Sequence, residues 1–378
     1  MSEATGQPLT FNTLGHYQWP AMAADESIRN FSWKIWKRFG GKDEDPFISE
    51  DSLKWVSDKH SAGIESPPAC GPIMEEMQAT FAEWICDPNP SRWLQLVVLP
   101  PADTNDLLRT WAVEHGHRII DPPLRESLLD HSKVASVPLD CENTLVVIPQ
   151  LERWFLRHQD GMMHVRRLLL QASKAKRHLI IGCNSWAWQF LNKAVSAGRL
   201  LPLGLTFNAF DADRLRNWLM PLSQSDNASE YVFRQSKNGL IADSDYFAKL
   251  AARSLGIPWI AWHLWHRALR VRPSGQNIGH PKFPDEQTRW VSELEDFSLP
   301  IEDVDAALLT LQALLIHGGL TEEELDLATP SVDASNVLPS LVEADFVAHQ
   351  NDGYQCKPDA YPAIRSRLVS AGFPEDKL

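Results

Sequence analysis

The chain has 378 residues, 44% hydrophobic and 22% charged, with a formal net charge of -13 at pH 7. That length suits two or three domains, the balance excludes a wholly disordered chain, and the negative charge disfavours nonspecific binding to nucleic acid or anionic lipid. No run of about 18 uncharged apolar residues predicts a membrane-spanning helix, no secretory pattern is apparent, and five scattered cysteines without a CxxC pair (Cys70, Cys86, Cys141, Cys183, Cys356) point to a reduced, cytoplasmic protein.

Residues 1–84 are expected to form a Trp-rich N-terminal arm. The first 70 mix turn residues with scattered rings, among them Trp19, Trp33, Trp36 and Trp55. Only Ser32–Phe39 suggests a short helix, with Trp33 and Trp36 three apart on one face. Such a segment either folds back over the main domain or docks a partner, because Trp and Tyr are enriched at interface hot spots. On the second reading Trp19, Trp33 and Trp36 are partner-binding residues.

Residues 85–210 alternate short apolar strands with helices. Trp93–Leu99, Arg118–Asp121, Thr144–Ile148, His178–Gly182 and the region Leu203–Phe207 are the predicted strands. Helices are expected over Asn105–His115, with Asp103 or Thr104 as N-cap, over Met162–Lys174 and over Trp186–Val195. This alternation predicts an α/β domain whose parallel sheet is covered on both faces.

Residues 211–299 read as a helical lid and linker, with helices only up to residue 272: Asp211–Leu219, Ser244–Ser254 and Trp259–Val271. His263 and His266 lie three apart on the last of these, but no third ligand supports a metal site, and packed amphipathic rings account for them. Cys183 has no sequence-local base to make it a nucleophile, and a small buried thiol is the simpler reading.

Residues 300–378 carry a pattern of their own. Val304–His317 is an apolar helix, Thr321-Glu322-Glu323-Glu324 is a capping box opening a second helix, and Ser335–Ala344 is a third. Asn351-Asp352-Gly353 signals a hairpin turn, and Tyr361–Leu368 closes the chain as a helix. Three helices followed by a two-stranded wing read as a winged helix.

The segment Tyr246–Trp265 (YFAKLAARSLGIPWIAWHLW) is similar to a lid in which one helix ends at a Gly and the next begins. Thr144–Glu152 (TLVVIPQLE) stands where a Walker B strand would, and Leu179–Ser185 (LIIGCNS) where a sensor-1 strand would end, with Asn184 in the polar position. A P-loop-NTPase-like sheet domain, then a helical lid, then a C-terminal winged helix resembles the architecture of AAA+ and STAND-type P-loop ATPases, including origin-recognition-like proteins, over about residues 85–370. The resemblance implies ATP and Mg²⁺ held by a glycine-rich loop after the first strand, whose Lys neutralises phosphates and whose hydroxyl holds Mg²⁺.

That loop is altered here. Leu99 runs into Pro100-Pro101-Ala102-Asp103-Thr104-Asn105, without Gly or Lys, with two residues lacking an N–H donor and with an added negative charge. After the Walker B strand, Pro149 and Gln150 come first and Glu152 is the only nearby acid, which reads either as a helix-start acid or as a catalytic group. Asn184 reads either as a helix cap or as a polar site residue. The expectation is therefore a pseudo-ATPase with no catalytic residue, no metal and no cofactor, keeping the fold as a platform. In the alternative, an ATPase or nucleotide sensor, Asp103, Thr104, Glu152 and Asn184 line the pocket.

Charge separates the remaining readings. Residues 301–378 hold fourteen acids against four bases, a difference of -10, and the third helix has no Lys or Arg. A DNA-binding winged helix needs phosphate contacts, so a nucleic-acid regulator is the weakest alternative and a protein partner, self-association included, the stronger one. Residues 153–181 have the opposite sign, seven bases against Asp160, a difference of +6. Arg166 and Arg167 there are either part of a solvated face or a docking site for the acidic C-terminal region of this chain or of another copy.

Overall fold

Near-continuous apolar strands build a six-stranded sheet in the structure, a computed structural model that describes residues 9–21, 54–55, 67–130, 138, 145–224, 230–235, 239–271, 288–294, 297, 299, 304–350 and 353–378. The chain divides into two compact units. One gathers Met1–Gln18, Ala62–Asn208 and Phe297–Leu378, and the other Trp19–Ser61 and Ala209–Asp296. Trp33, Trp36 and the expected helix around them lie outside the described residues, as do Cys141, the loop after Val271 and the Asn351-Asp352 turn.

In the first unit the strands are β1 (Asn12–Thr13), β2 (Leu94–Leu99), β3 (Arg118–Ile119), β4 (Val146–Ile148), β5 (Leu179–Asn184) and β6 (Leu205–Thr206). They lie side by side in the order β1-β6-β2-β5-β4-β3. All neighbours are parallel except β1, which runs antiparallel to β6. Five parallel strands taken in chain order thus stand 5-1-4-3-2, a doubly wound α/β sheet of P-loop-NTPase-like form. The register pairs Leu94 with Leu179 and Leu99 with Asn184, so the two central strands end together. Every residue of β5 is buried, as a strand covered on both faces requires.

Helices α1 (Gly71–Cys86), α2 (Leu107–Glu114), α3 (Met163–Ala172) and α4 (Ser185–Ala194) belong to this unit. No helix was expected at α1. Its signals are Pro72 in the first turn and buried Ile73, Met77 and Phe81 four residues apart. Phe81 meets Phe11 and Trp111 with ring centroids 6.2 Å away.

The C-terminal part of the same unit comprises α5 (Val304–His317), α6 (Glu322–Ala328), α7 (Ala334–Glu343), the antiparallel pair β7 (Val347–Gln350) and β8 (Gly353–Cys356), and α8 (Tyr361–Ser370). The expected capping box forms at α6: Thr321 Oγ1 accepts from the Glu324 N–H at 3.2 Å, and the Glu324 carboxylate accepts from the Thr321 N–H at 3.0 Å. Asp376 is buried and ties this part to the sheet. It accepts from Ser185 Oγ at 2.8 Å, from the Tyr361 hydroxyl at 2.7 Å and from Arg365 Nε at 2.7 Å.

The second unit corrects the expectation of helices only. It holds helices Ala212–Gln224, Asp243–Arg253 and Pro258–Ala268, but also strands Lys54–Trp55, Glu230–Gln235, Gly239–Leu240, Leu269–Val271 and Thr288–Val291. The helix expected over Trp259–Val271 stops at Ala268. Leu269 turns extended and pairs with Val291, a long-range ladder that local helical periodicity does not register. Trp265 is fully buried there and stacks on Phe247 at 5.5 Å. His266 stacks on Trp262 at 3.9 Å, and no metal-binding group of His, Cys, Asp or Glu occurs among the described residues. Among the same residues no helix is long and apolar enough to cross a membrane.

One glycine of the sheet is sterically required. A Cβ at Gly182 in β5 would stand 2.2 Å from the Pro149 carbonyl oxygen and 2.5 Å from Leu108 Cδ2. Since Pro149 offers backbone, the clash cannot be relieved by a rotamer change. Gly182→Ala is expected to destabilise the protein by about 2 kcal/mol or more. A urea titration checks this as a lowered midpoint with unchanged slope.

Candidate functional site

Open α/β sheets place ligands at the carboxyl ends of their strands, where neighbouring connections diverge. Here those ends carry the β2–α2 loop, the turn after β4 and the β5–α4 junction. The loop Pro100–Asp106 has no glycine, yet Ala102 (φ 64°) and Asp106 (φ 46°) both adopt the left-handed region. That conformation costs a non-glycine residue about 1–2 kcal/mol, so the surrounding contacts must hold it.

Hydrogen bonds account for the loop. Asp103 accepts from the Asn105 N–H at 3.2 Å and from the Leu107 N–H at 2.7 Å. Asp106 is the N-cap of α2, accepting from the Arg109 N–H at 3.2 Å and from Arg109 Nε at 2.9 Å. The helix therefore begins two residues later than expected. Asp106 rather than Thr104 is its cap, and Asp103 serves the first turn from one step further out. Two carboxylates thus stand at the positive end of α2, where backbone N–H groups attract anions. Burial pushes the Asp103 carboxyl up to about 6, and the neighbouring Asp106 charge adds to the shift. Thr104 Oγ1 is buried and finds no hydrogen-bond partner among the described residues.

Glu152 sits in a single 3-10 turn, Leu151–Arg153, just after β4. Its carboxylate accepts from the Asn184 N–H at 3.1 Å. Burial pushes Glu152 up to about 7; hydrogen bonds to backbone N–H groups oppose the shift, and the Asp106 charge adds to it. Asn184 ends β5 and caps α4, its Oδ1 accepting from the Ala187 N–H at 2.8 Å. Its amide nitrogen donates to the Ile316 carbonyl of α5 at 3.4 Å. The structure therefore brings Glu152 and Asn184 into contact, with Asp103 and Thr104 on the loop after β2. Cys183, next to Asn184, is buried, and its thiol is pushed well up by burial.

Two further residues join this region without a sequence signal. Arg125 donates to the carbonyls of His317 at 2.9 Å and Gly319 at 3.3 Å, where α5 ends. His317 is fully buried, stands 4.9 Å from the Phe155 ring, and accepts at Nε2 from the Arg157 N–H at 3.2 Å. Burial, with the Arg125 and Arg157 charges, holds its imidazole well below the usual range. Of the sequence-predicted partner-binding residues, Arg166 and Arg167 are exposed on α3, and Trp19 is half-buried in the second unit.

The raised Glu152 carboxyl predicts a pH effect of defined sign. Its native pKa of about 7 lies above the ordinary 4.5. The stability it contributes is therefore full below about pH 4.5 and is lost as pH rises through about 7. His317 acts oppositely, since its folded form resists protonation and stability falls as pH drops below the imidazole range. Comparison with Glu152→Gln isolates the carboxylate. The variant is expected to gain melting temperature relative to the parent between pH 5 and pH 8, and parallel thermal profiles would contradict the assignment.

No protein-family model and no curated protein matches this chain. Among solved structures it is similar to the Thermotoga maritima RuvB Holliday junction branch migration motor, with 14% identity, 71% of this chain and 86% of that one covered, and a TM-score of 0.31. It is also similar to Cdc6p from Pyrobaculum aerophilum, with 11% identity, coverage of 84% and 97%, and a TM-score of 0.29. The Aeropyrum pernix ORC1 protein in complex with DNA gives 14% identity, coverage of 79% and 92%, and a TM-score of 0.29. Likenesses of this size carry no argument for function, and the fold rests on the strand order and register described above.

Proposed function

We propose that this chain is a noncatalytic pseudo-ATPase of AAA+/STAND-like architecture that acts in the cytoplasm as a protein–protein interaction adaptor or regulator. The observation that carries the reading is the pair of carboxylates at the start of α2. A polyphosphate needs the N–H groups of that turn, and Asp103 and Asp106 already accept from Asn105, Leu107 and Arg109. An incoming phosphate would compete with them and meet their negative charge, while Pro100 and Pro101 offer no donors. The loop has no Lys to neutralise phosphate. The residues present do not fit ATP and Mg²⁺.

On this reading the sheet is a rigid support, since a fold outlives the chemistry once grafted on it. The C-terminal part, read as a winged helix, presents protein-binding rather than nucleic-acid-binding surface. Its third helix, α7, carries no Lys or Arg, and its net acidity would repel a duplex.

A second reading, an atypical ATPase or nucleotide sensor, draws on the unpartnered Thr104 hydroxyl and on the Glu152 carboxyl, poised near neutrality. Against it, the Asn184 side chain is committed at both ends, to Ala187 and Ile316.

Ligand linkage separates the two. A ligand present at 100 times its Kd raises native stability by about 2.7 kcal/mol. Millimolar ATP with Mg²⁺ is expected to leave the melting temperature unchanged and to give no saturable heat in calorimetry. Saturable binding, with turnover abolished by Glu152→Ala, would establish the second reading instead.

A further inference from the structure

The outward face of α3 combines charge with uncovered apolar surface. Met163 is 40% exposed and Leu170 49% exposed. Arg166 and Arg167 lie between them and Lys174 follows, all exposed. Met163, Arg166, Arg167 and Leu170 share one helix face by their spacing, and Lys174 lies in the turn just beyond the helix. The opposite face, with His164, Val165, Leu168, Leu169 and Ala172, is buried and fixes the helix rigidly. The helix contains no acid of its own.

The outward face of α6 is its complement. Glu322, Glu323 and Asp326 are exposed, beside Leu327 at 39% exposure, and the helix contains no Lys or Arg. Among the described residues, Arg166, Lys174, Glu322, Glu323 and Asp326 form no ion pair. The two faces occur on one folded unit, are opposite in sign, and each sets an uncovered apolar side chain within its charged row. The sequence segments that carry them repeat the contrast, +6 over residues 153–181 and -10 over residues 301–378.

We propose that the α3 face of one copy docks on the α6 face of a second copy, head to tail. Such a contact is heterologous, because each copy offers two different surfaces, and it propagates into a ring or a filament. Opposite charge steers the encounter and weakens it as salt rises, while Met163, Leu170 and Leu327 supply the surface removed from water. The proposal names one partner for the adaptor reading, but it rests on surface charge. Nucleotide binding would overturn that reading and leave this one standing.

Sedimentation velocity on the full chain, with two reversal variants, tests it. The parent is expected to gain mass with concentration at low salt and to return to monomer at high salt. Arg166→Glu with Lys174→Glu, and separately Glu322→Lys with Glu323→Lys, each weaken self-association about tenfold or more. Each variant retains one intact face. In an equimolar mixture the two intact faces pair and the two reversed faces are again opposite in charge, so assembly is expected to return as complexes that contain both variants, which also shows that both are folded. A parent that stays monomeric at every concentration, assembly that persists in both variants, or a mixture that forms no complex of the two variants would overturn the proposal.

Discussion

Backbone N–H groups at the start of a buried helix must be satisfied, and at α2 the partners are carboxylates from the same loop. Asp103 reaches the Asn105 and Leu107 N–H groups, and Asp106 reaches that of Arg109. The loop makes left-handed turns at Ala102 and Asp106 without the glycines such turns ordinarily favour. It also places internal negative charge where a P-loop-like sheet would receive an external anion. The raised pKa values of Asp103 and Glu152 follow from the same crowding, because burial penalises each carboxylate and Asp106 adds repulsion to both.

The C-terminal part completes the arrangement over the strand ends. Arg125 grips the last carbonyls of α5, Asn184 reaches Ile316, and Asp376 is held by Ser185, Tyr361 and Arg365. These contacts join segments up to 194 residues apart. In each of these contacts a buried polar group is matched to a partner, and leaving one unmatched costs more than the bond itself contributes. Sheet and C-terminal helices therefore behave as one folded unit, which suits a platform better than a site that must open and close.

The sheet was legible in the sequence because its strands are fully buried and read as short apolar runs between helices, as at Leu94–Leu99 and Leu179–Asn184. The absence of Gly and Lys after Leu99 was equally plain. The cap of α2 was not, since nothing in the string Asp103-Thr104-Asn105-Asp106 announces a positive φ at Asp106. In helix α1, Ile73, Met77 and Phe81 keep a helical period, but the aromatic-rich segment before it masks the pattern. The strand at Leu269–Val271 depends on pairing with Thr288–Val291, and the Arg125 grip on His317 on closure of a long loop. Neither leaves a local mark.

The central claim concerns which groups occupy the first turn of α2, and a crystal structure of the protein grown with ATP and Mg²⁺ tests it most directly. The account predicts a loop free of nucleotide, with Asp103 still bonded to the Leu107 N–H and Asp106 to that of Arg109. Phosphate oxygens seated on those two N–H groups, with both carboxylates swung away, would contradict it.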